Sequence, residues 1–221
     1  MIEVTPTVVP QSVGDVVNAR ERYGAFSSVL HVDIADGVFA SNTTWIPGPE
    51  EPLLDPENFL YEAHLMVEKP SGLGMRFAHV GARRMVAHTE AFSDANEAYK
   101  VFDAWRTEGV REIGLGVLFG TPLQQLEPFV GMCDFVHLMT IATVGTQGIP
   151  YAEGAPVRVA ECRALYPKTL ISVDGGISEE NVAKLARAGA QRFCVGSALV
   201  NAEDPADVYK KLQTLANSAI Q

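Results

Sequence analysis

His31 and Asp33 stand two residues apart in Leu30-His31-Val32-Asp33-Ile34, a run rich in apolar and β-branched residues. On a β-strand, residues two apart share a face, so an imidazole and a carboxylate would look into one space. Such a pair suits part of a first-row metal site, an acid/base couple or a structural ion pair. Leu170-Ile171-Ser172-Val173-Asp174-Gly175-Gly176 carries another acid near its end, and Tyr61-Glu62-Ala63-His64-Leu65-Met66 another histidine. His88 and His137 belong to comparable runs. Two histidines and two carboxylates brought to one place suit a divalent ion such as Zn, Fe(II), Mn or Co. No lysine ends such a run, Lys69 standing three residues past Met66, which counts against Schiff-base chemistry and its buried amine.

The elements that would position these residues alternate along the 221-residue chain. Strands are expected at Ile2–Val9, Leu30–Ile34, Tyr61–Met66, Arg84–His88, Glu112–Val117, Phe135–Met139, Thr169–Val173 and Arg192–Val195, and a helix over Ser12–Tyr23 capped by Ser12. Gly24, Gly81, Gly109 and Gly189 each fall just past a helical stretch, where a left-handed cap is expected. They are 57, 28 and 80 residues apart, close to two, one and three units of about 28 residues, and eight such units fill the chain. Eight βα units forming a mostly parallel sheet make a (β/α)8 TIM barrel, expected as a single domain over residues 1–221. In that architecture chemistry gathers at the C-terminal strand ends. Pro47-Gly48-Pro49-Glu50-Glu51-Pro52, with Pro56 beyond, breaks the second unit, because proline removes a donor and clashes inside a helix. A short or broken helix after a long loop is expected there.

The bulk properties exclude several classes. A 47% hydrophobic composition can build a sizeable core. A net charge of −10 argues against a nucleic-acid surface, so an anionic substrate must be held locally, by backbone amides or a metal. Cys133, Cys162 and Cys194 are far apart and form no Cys-x-x-Cys, so neither a disulfide framework nor a zinc knuckle is indicated. No apolar run approaches membrane-spanning length, and Met1-Ile2-Glu3-Val4 sets no basic segment before an apolar one. A soluble cytoplasmic protein with no membrane partner is expected.

Several landmarks occur in the order and spacing of a known family. Thr5-Pro6-Thr7-Val8-Val9 is similar to an opening A-P-S-I-L, and His31-Val32-Asp33-Ile34-Ala35-Asp36-Gly37 to H-V-D-V-M-D-G. Phe39, Asn42, His64-Leu65-Met66, Leu138-Met139-Thr140, Val173-Asp174-Gly175-Gly176 and Val195-Gly196-Ser197-Ala198 follow. Over nearly its whole length the chain resembles the ribulose-phosphate 3-epimerases. That resemblance implies a barrel of the ribulose-phosphate-binding type and an isomerase of carbohydrate metabolism and the pentose phosphate pathway. It would interconvert D-ribulose 5-phosphate and D-xylulose 5-phosphate, removing and returning the C3 proton through an enediolate. It also implies one divalent metal on His31, Asp33, His64 and Asp174, with Asp33 and Asp174 as the two-faced acid/base pair. Substrate contacts would come from Thr7, His64, Met66, Met139, Gly145, Thr146, Gln147, Gly175, Gly176, Gly196 and Ser197. The implied partners are a small sugar phosphate and further copies of the chain in a homo-oligomer.

The departures bear on substrate. Where the family reads P-G-F-G-G-Q, this chain has Thr143-Val144-Gly145-Thr146-Gln147-Gly148, with its glycines at shifted places. Thr7 replaces a serine, Ala35 a pocket methionine, and Val38 a frequent histidine. Other substrates therefore stay open, allulose 6-phosphate or an unphosphorylated ketose, as do a lyase of the same barrel and a non-catalytic sugar-phosphate-binding barrel. Val136-His137-Leu138-Met139 repeats Ala63-His64-Leu65-Met66, and composition does not choose between the two histidines. Family likeness selects His64, leaving His137 as a hydrogen-bonded strand residue. Met66 and Met139 read alone are core methionines. His79 belongs to a helix end, His88 stands within reach of the pocket rim, and Asp36 beside Gly37 is a turn former.

Overall fold

Eight parallel strands close into a barrel in chain order. A computed structural model describes residues 2–48, 51–145 and 148–220. The strands are β1 Glu3–Val8, β2 Val29–Ala35, β3 Leu60–Met66, β4 Arg84–His88, β5 Glu112–Val117, β6 Phe135–Met139, β7 Leu170–Asp174 and β8 Arg192–Val195, with β1 pairing β8 to complete the ring. Around them lie α1 Val13–Tyr23, α2 Pro70–His79, α3 Ala95–Thr107, α4 Ala155–Leu165, α5 Val182–Ala188, α6 Ser197–Val200 and α7 Pro205–Ser218. Between β5 and β6 the described chain forms only short 3-10 turns, Leu123–Leu126 and Val130–Met132. Among the described residues no helix is long and apolar enough to cross a membrane.

Local sequence explains the element ends. Ser12 caps α1 in a capping box: its hydroxyl accepts from the Asp15 N–H at 3.3 Å, and the Asp15 carboxylate accepts from the Ser12 N–H at 2.8 Å. Val16, Ala19 and Tyr23 then turn one buried face of α1 to the barrel. Gly81, Gly109 and Gly189 have the expected left-handed φ of 114°, 99° and 117°. Gly24 does not: its φ is −64°, because the chain keeps turning and its N–H still donates to the Arg20 carbonyl at 2.8 Å.

The proline-rich segment departs further from expectation. No helix, short or broken, forms between β2 and β3 among the described residues, and Pro49 and Glu50 lie outside them. Isolated anchors hold that stretch instead. The Leu53 N–H donates to the Val80 carbonyl at 2.9 Å, and the Tyr61 hydroxyl donates to the Leu54 carbonyl at 2.7 Å.

β2 is buried along all seven residues, as expected for a strand with helices outside and side chains filling the barrel. The N-terminal end of the barrel is ionic. Arg84 Nη1 donates to Glu3 Oε1 at 2.6 Å, Arg192 Nε lies 2.9 Å from Glu3 Oε1, and both guanidinium groups reach Glu112 at 3.0–3.1 Å. Glu62, fully buried, borders this cluster, with Arg84 Nη1 at 3.4 Å. A charged base at one end leaves the C-terminal ends of the strands for the site.

Candidate active site

His31 and Asp33 on β2, His64 on β3 and Asp174 at the end of β7 meet inside the barrel. Asp33 is the register partner of His64, which sets the two side by side. Asp33 Oδ1 lies 3.1 Å from His31 Nε2 and 3.0 Å from His64 Nδ1, and these two nitrogens are 3.2 Å apart. Asp174 Oδ2 lies 3.7 Å from His31 Nε2 and 3.4 Å from His64 Nδ1. Each carboxylate therefore touches both imidazoles. Donors about 2.0–2.2 Å from a common ion at right angles stand about 3 Å apart, so this set fits one divalent ion with small inward movements.

The far sides of the rings are anchored as well. His31 Nδ1 is in close contact with Glu62 Oε1, which turns Nε2 toward the other donors. His64 Nε2 lies 2.8 Å from His88 Nε2. His88 is fully buried behind His64, with its ring 4.9 Å from that of Phe39, so it is not a residue of the pocket rim. His137 Nδ1 is 3.1 Å from Ser172 Oγ, the hydrogen bond expected of it. Its ring also faces the cluster, stacked on His31 at 5.5 Å, with His137 Nε2 3.5 Å from Asp174 Oδ2. His79 is exposed at the end of α2, near Glu108. Asp36 forms the expected turn, accepting from the Val38, Phe39 and Glu68 N–H groups.

Burial would raise both carboxylates, but the imidazoles override it. His31 and His64 hold Asp33 below the usual carboxylate range, and His137, His64 and His31 hold Asp174 well below it. Burial also opposes a proton on His31, yet the Cys194 sulfur and the Asp33 carboxylate keep that ring well above its ordinary value. Burial, with His64 nearby, pushes His137 down to about 4, so its ring is neutral near pH 7. Burial pushes the Cys194 thiol up to about 12.

Above the cluster a cleft opens at the C-terminal mouth of the barrel, where both carboxylates meet backbone glycines. Asp33 and Asp174 line it together with Thr7, Met66, Met139, Gly145, Gly175, Gly176, Gly196 and Ser197. His64 does not line it, being buried beneath Met66. Thr146 and Gln147 lie outside the described residues. Gly175 and Gly176 have φ of 113° and 66°, and a methyl group at Gly175 would meet the Ile141 side chain. Thr140 pins this turn, its hydroxyl 2.9 Å from the Asp174 carbonyl. Ser197 opens α6 beside the turn. Glu62, Ser172, Ile141 and Ile149 were not among the residues expected from sequence. The first two stand two residues before His64 and Asp174, the same spacing that pairs His31 with Asp33.

Known proteins place this chain clearly. The model of the ribulose-phosphate 3 epimerase family matches residues 6–200. The ribulose-phosphate 3-epimerase of Aquifex aeolicus is 30% identical over 212 residues, covering 94% of this chain and 92% of the relative. Ribulose-phosphate 3-epimerase 2 of Cupriavidus necator is 29% identical, with 95% and 88% covered. Among solved structures, the 3-hexulose-6-phosphate synthase of Salmonella typhimurium superposes with a TM-score of 0.69 at 13% identity, covering 99% of this chain and 100% of that one. The 3-keto-L-gulonate-6-phosphate decarboxylase of Vibrio cholerae gives 0.70 at 14%, with 99% of each chain covered. At such identities these structures speak to the fold alone.

Proposed function

The chain belongs to the ribulose-phosphate 3-epimerase family and is an isomerase acting on carbohydrate, and from that premise we propose that it interconverts D-ribulose 5-phosphate and D-xylulose 5-phosphate. The observation that carries this reading is the pair Asp33 and Asp174. Two carboxylates from separate strands, β2 and β7, line one cavity and touch the same two histidine nitrogens. Inverting a carbon requires a proton taken from one face and one returned from the other. Asp33 and Asp174 are the two carriers, exchanging roles when the reaction runs backward. Neighbouring imidazoles favour the ionised form of both, and in each turnover the one that is ionised takes the C3 proton while the other, protonated, returns one to the opposite face.

A divalent ion on His31, Asp33, His64 and Asp174 would supply fixed positive charge against the negative charge that develops on the ketose oxygens. Zn, Fe(II), Mn and Co all suit that donor set. Met66 and Met139 give the cavity apolar walls that keep water from the reacting carbon. Backbone amides of Gly175-Gly176 and Gly196-Ser197 hold the phosphate, with Gly145 on the opposite lip. A second reading, a neutral or longer ketose, is favoured only by Ile141 and Ile149, which bring apolar surface to the side of the altered loop.

The test is proton exchange. Ribulose 5-phosphate incubated with the enzyme in deuterated water should gain label at C3, and both epimers should accumulate. A substrate recovered without label at C3 would sink the proposal.

A further inference from the structure

We propose that His137 is a third imidazole ligand of the divalent ion, which is then held by His31, His64 and His137 with the two carboxylates. This rests on the metal reading above and extends it. Three rings are built alike. Each has its rear nitrogen tied: His31 Nδ1 to Glu62, His64 Nε2 to His88, and His137 Nδ1 to Ser172. Each aims its front nitrogen at one oxygen, Asp174 Oδ2, at 3.7, 3.4 and 3.5 Å. A hydrogen bond on the rear nitrogen is how proteins fix the tautomer and direction of a metal-binding imidazole.

Among the described residues His137 Nε2 has no hydrogen-bond partner, although the residue is fully buried. A buried nitrogen left unpaired is costly, and native structures seldom keep one without a use. Its contact with Asp174 at 3.5 Å is too long to satisfy it. Ligand atoms of His31, His64, His137 and Asp174 all lie within 4.8 Å of one another, the span of a shared ion. The twin sequences around His64 and His137 also have matching roles in space. In each, a buried histidine is followed two residues later by a methionine that lines the cavity. A third imidazole would tilt the site toward Zn, Co and Fe and away from Mg and Mn, which prefer oxygen donors.

X-ray absorption of the Zn-loaded wild-type protein counts imidazoles by their outer scattering. Three per Zn supports the proposal. Two overturns it while leaving the metal reading intact. Failure to bind stoichiometric Zn overturns both. In the Co(II) form, His137→Gln and His137→Leu should shift and intensify the d–d bands as one ligand is lost. Their Zn affinity in chelator competition should fall about 10–100-fold. Folded variants with the wild-type spectrum and affinity overturn the proposal, and if neither variant folds, the imidazole count on the wild type decides.

Discussion

His64 Nε2 lies 2.8 Å from His88 Nε2, so one proton is shared between two imidazoles. With His64 Nδ1 turned to Asp33 and Asp174, Nε2 carries that proton and His88 Nε2 accepts it. His88 then directs Nδ1–H toward Glu90 Oε2, 3.5 Å away. His88 thus positions His64, one of the proposed metal ligands, from behind the cluster. Its seat depends on Gly116, the register partner on β5, where a methyl group would come within 3.0–3.2 Å of the ring. His88→Leu should lower divalent-metal affinity about 10–100-fold, and Gly116→Ala by a smaller factor. Chelator competition reads both, and wild-type affinity in His88→Leu would remove the ring from this role.

Asp33→Asn and Asp174→Asn should each lower kcat/KM by several orders of magnitude, since each removes a proton carrier and a charged donor. The two losses should differ in kind. In a two-carrier mechanism each variant keeps the base for one epimer. One should still exchange deuterium into ribulose 5-phosphate, the other into xylulose 5-phosphate, and neither should invert C3. NMR of both substrates in deuterated water separates the cases. Loss of exchange from both epimers in both variants would argue against separate faces.

Much of this site was legible in the chain. The two-residue period put His31 with Asp33 on one face of β2, and spacing between glycines gave the count of units. Period gives the face of a strand, but not the depth in the barrel. Glu62 and Ser172 share the inward face with His64 and Asp174, one layer below, and their anchoring role emerges only when β2 pairs with β3 and β6 with β7. Partners on neighbouring strands separate the twin motifs. His137 and His64 read alike, and what differs is the nitrogen each ring turns inward, set by partners on other strands. Gly24 misled for a local reason: a helix-end glycine takes the left-handed conformation only where the chain reverses, and here it goes on turning.

Stability should have an optimum between acid and alkaline limits. Burial opposes the Glu62 charge, but His31, Arg84 and Arg192 hold this carboxyl well below its ordinary value of 4.5. Its contribution is present above about pH 4.5 and is lost as pH falls toward the folded value. His31 has the opposite sign. Raised above its ordinary 6.5, it contributes fully below that pH and loses the contribution as pH rises through its folded value. Glu62→Gln removes the carboxylate that His31, Arg84 and Arg192 hold ionised. At pH 6 it should cost about 3 kcal/mol, the low end for breaking a buried ion pair, and flatten the acid side of the profile, while the alkaline side, set by Cys194 and Asp33 around His31, should persist. Urea unfolding of metal-stripped protein at pH 4, 6 and 9 measures this. Parallel profiles for wild type and variant would show that this pair does not govern the pH dependence.

Phosphate recognition is where this chain departs most from its family. Half of the cradle is intact: Gly175 and Gly176 have left-handed backbone, and Gly196 and Ser197 border the same cavity. The other lip keeps only Gly145 from the expected set among the described residues, and its own φ of 100° leaves no room for a side chain beside Asn42. A hydrogen bond to a charged group contributes about 1.5–3 kcal/mol, so if even two of the four amides of Gly175, Gly176, Gly196 and Ser197 bond the phosphate, a phosphorylated substrate should be strongly favoured. The kcat/KM for ribulose 5-phosphate should exceed that for ribulose at least about a hundredfold, roughly 2.7 kcal/mol. Ser197→Glu sets a like charge against the phosphate and should remove most of that ratio, leaving turnover of ribulose nearly unchanged. Gly176→Ala should act in the same direction, because its φ of 66° strains any side chain and a methyl group would press on the Tyr151 backbone at 3.1–3.2 Å. A wild-type ratio near one would mean that the cradle binds no phosphate, and the substrate would then be a neutral ketose.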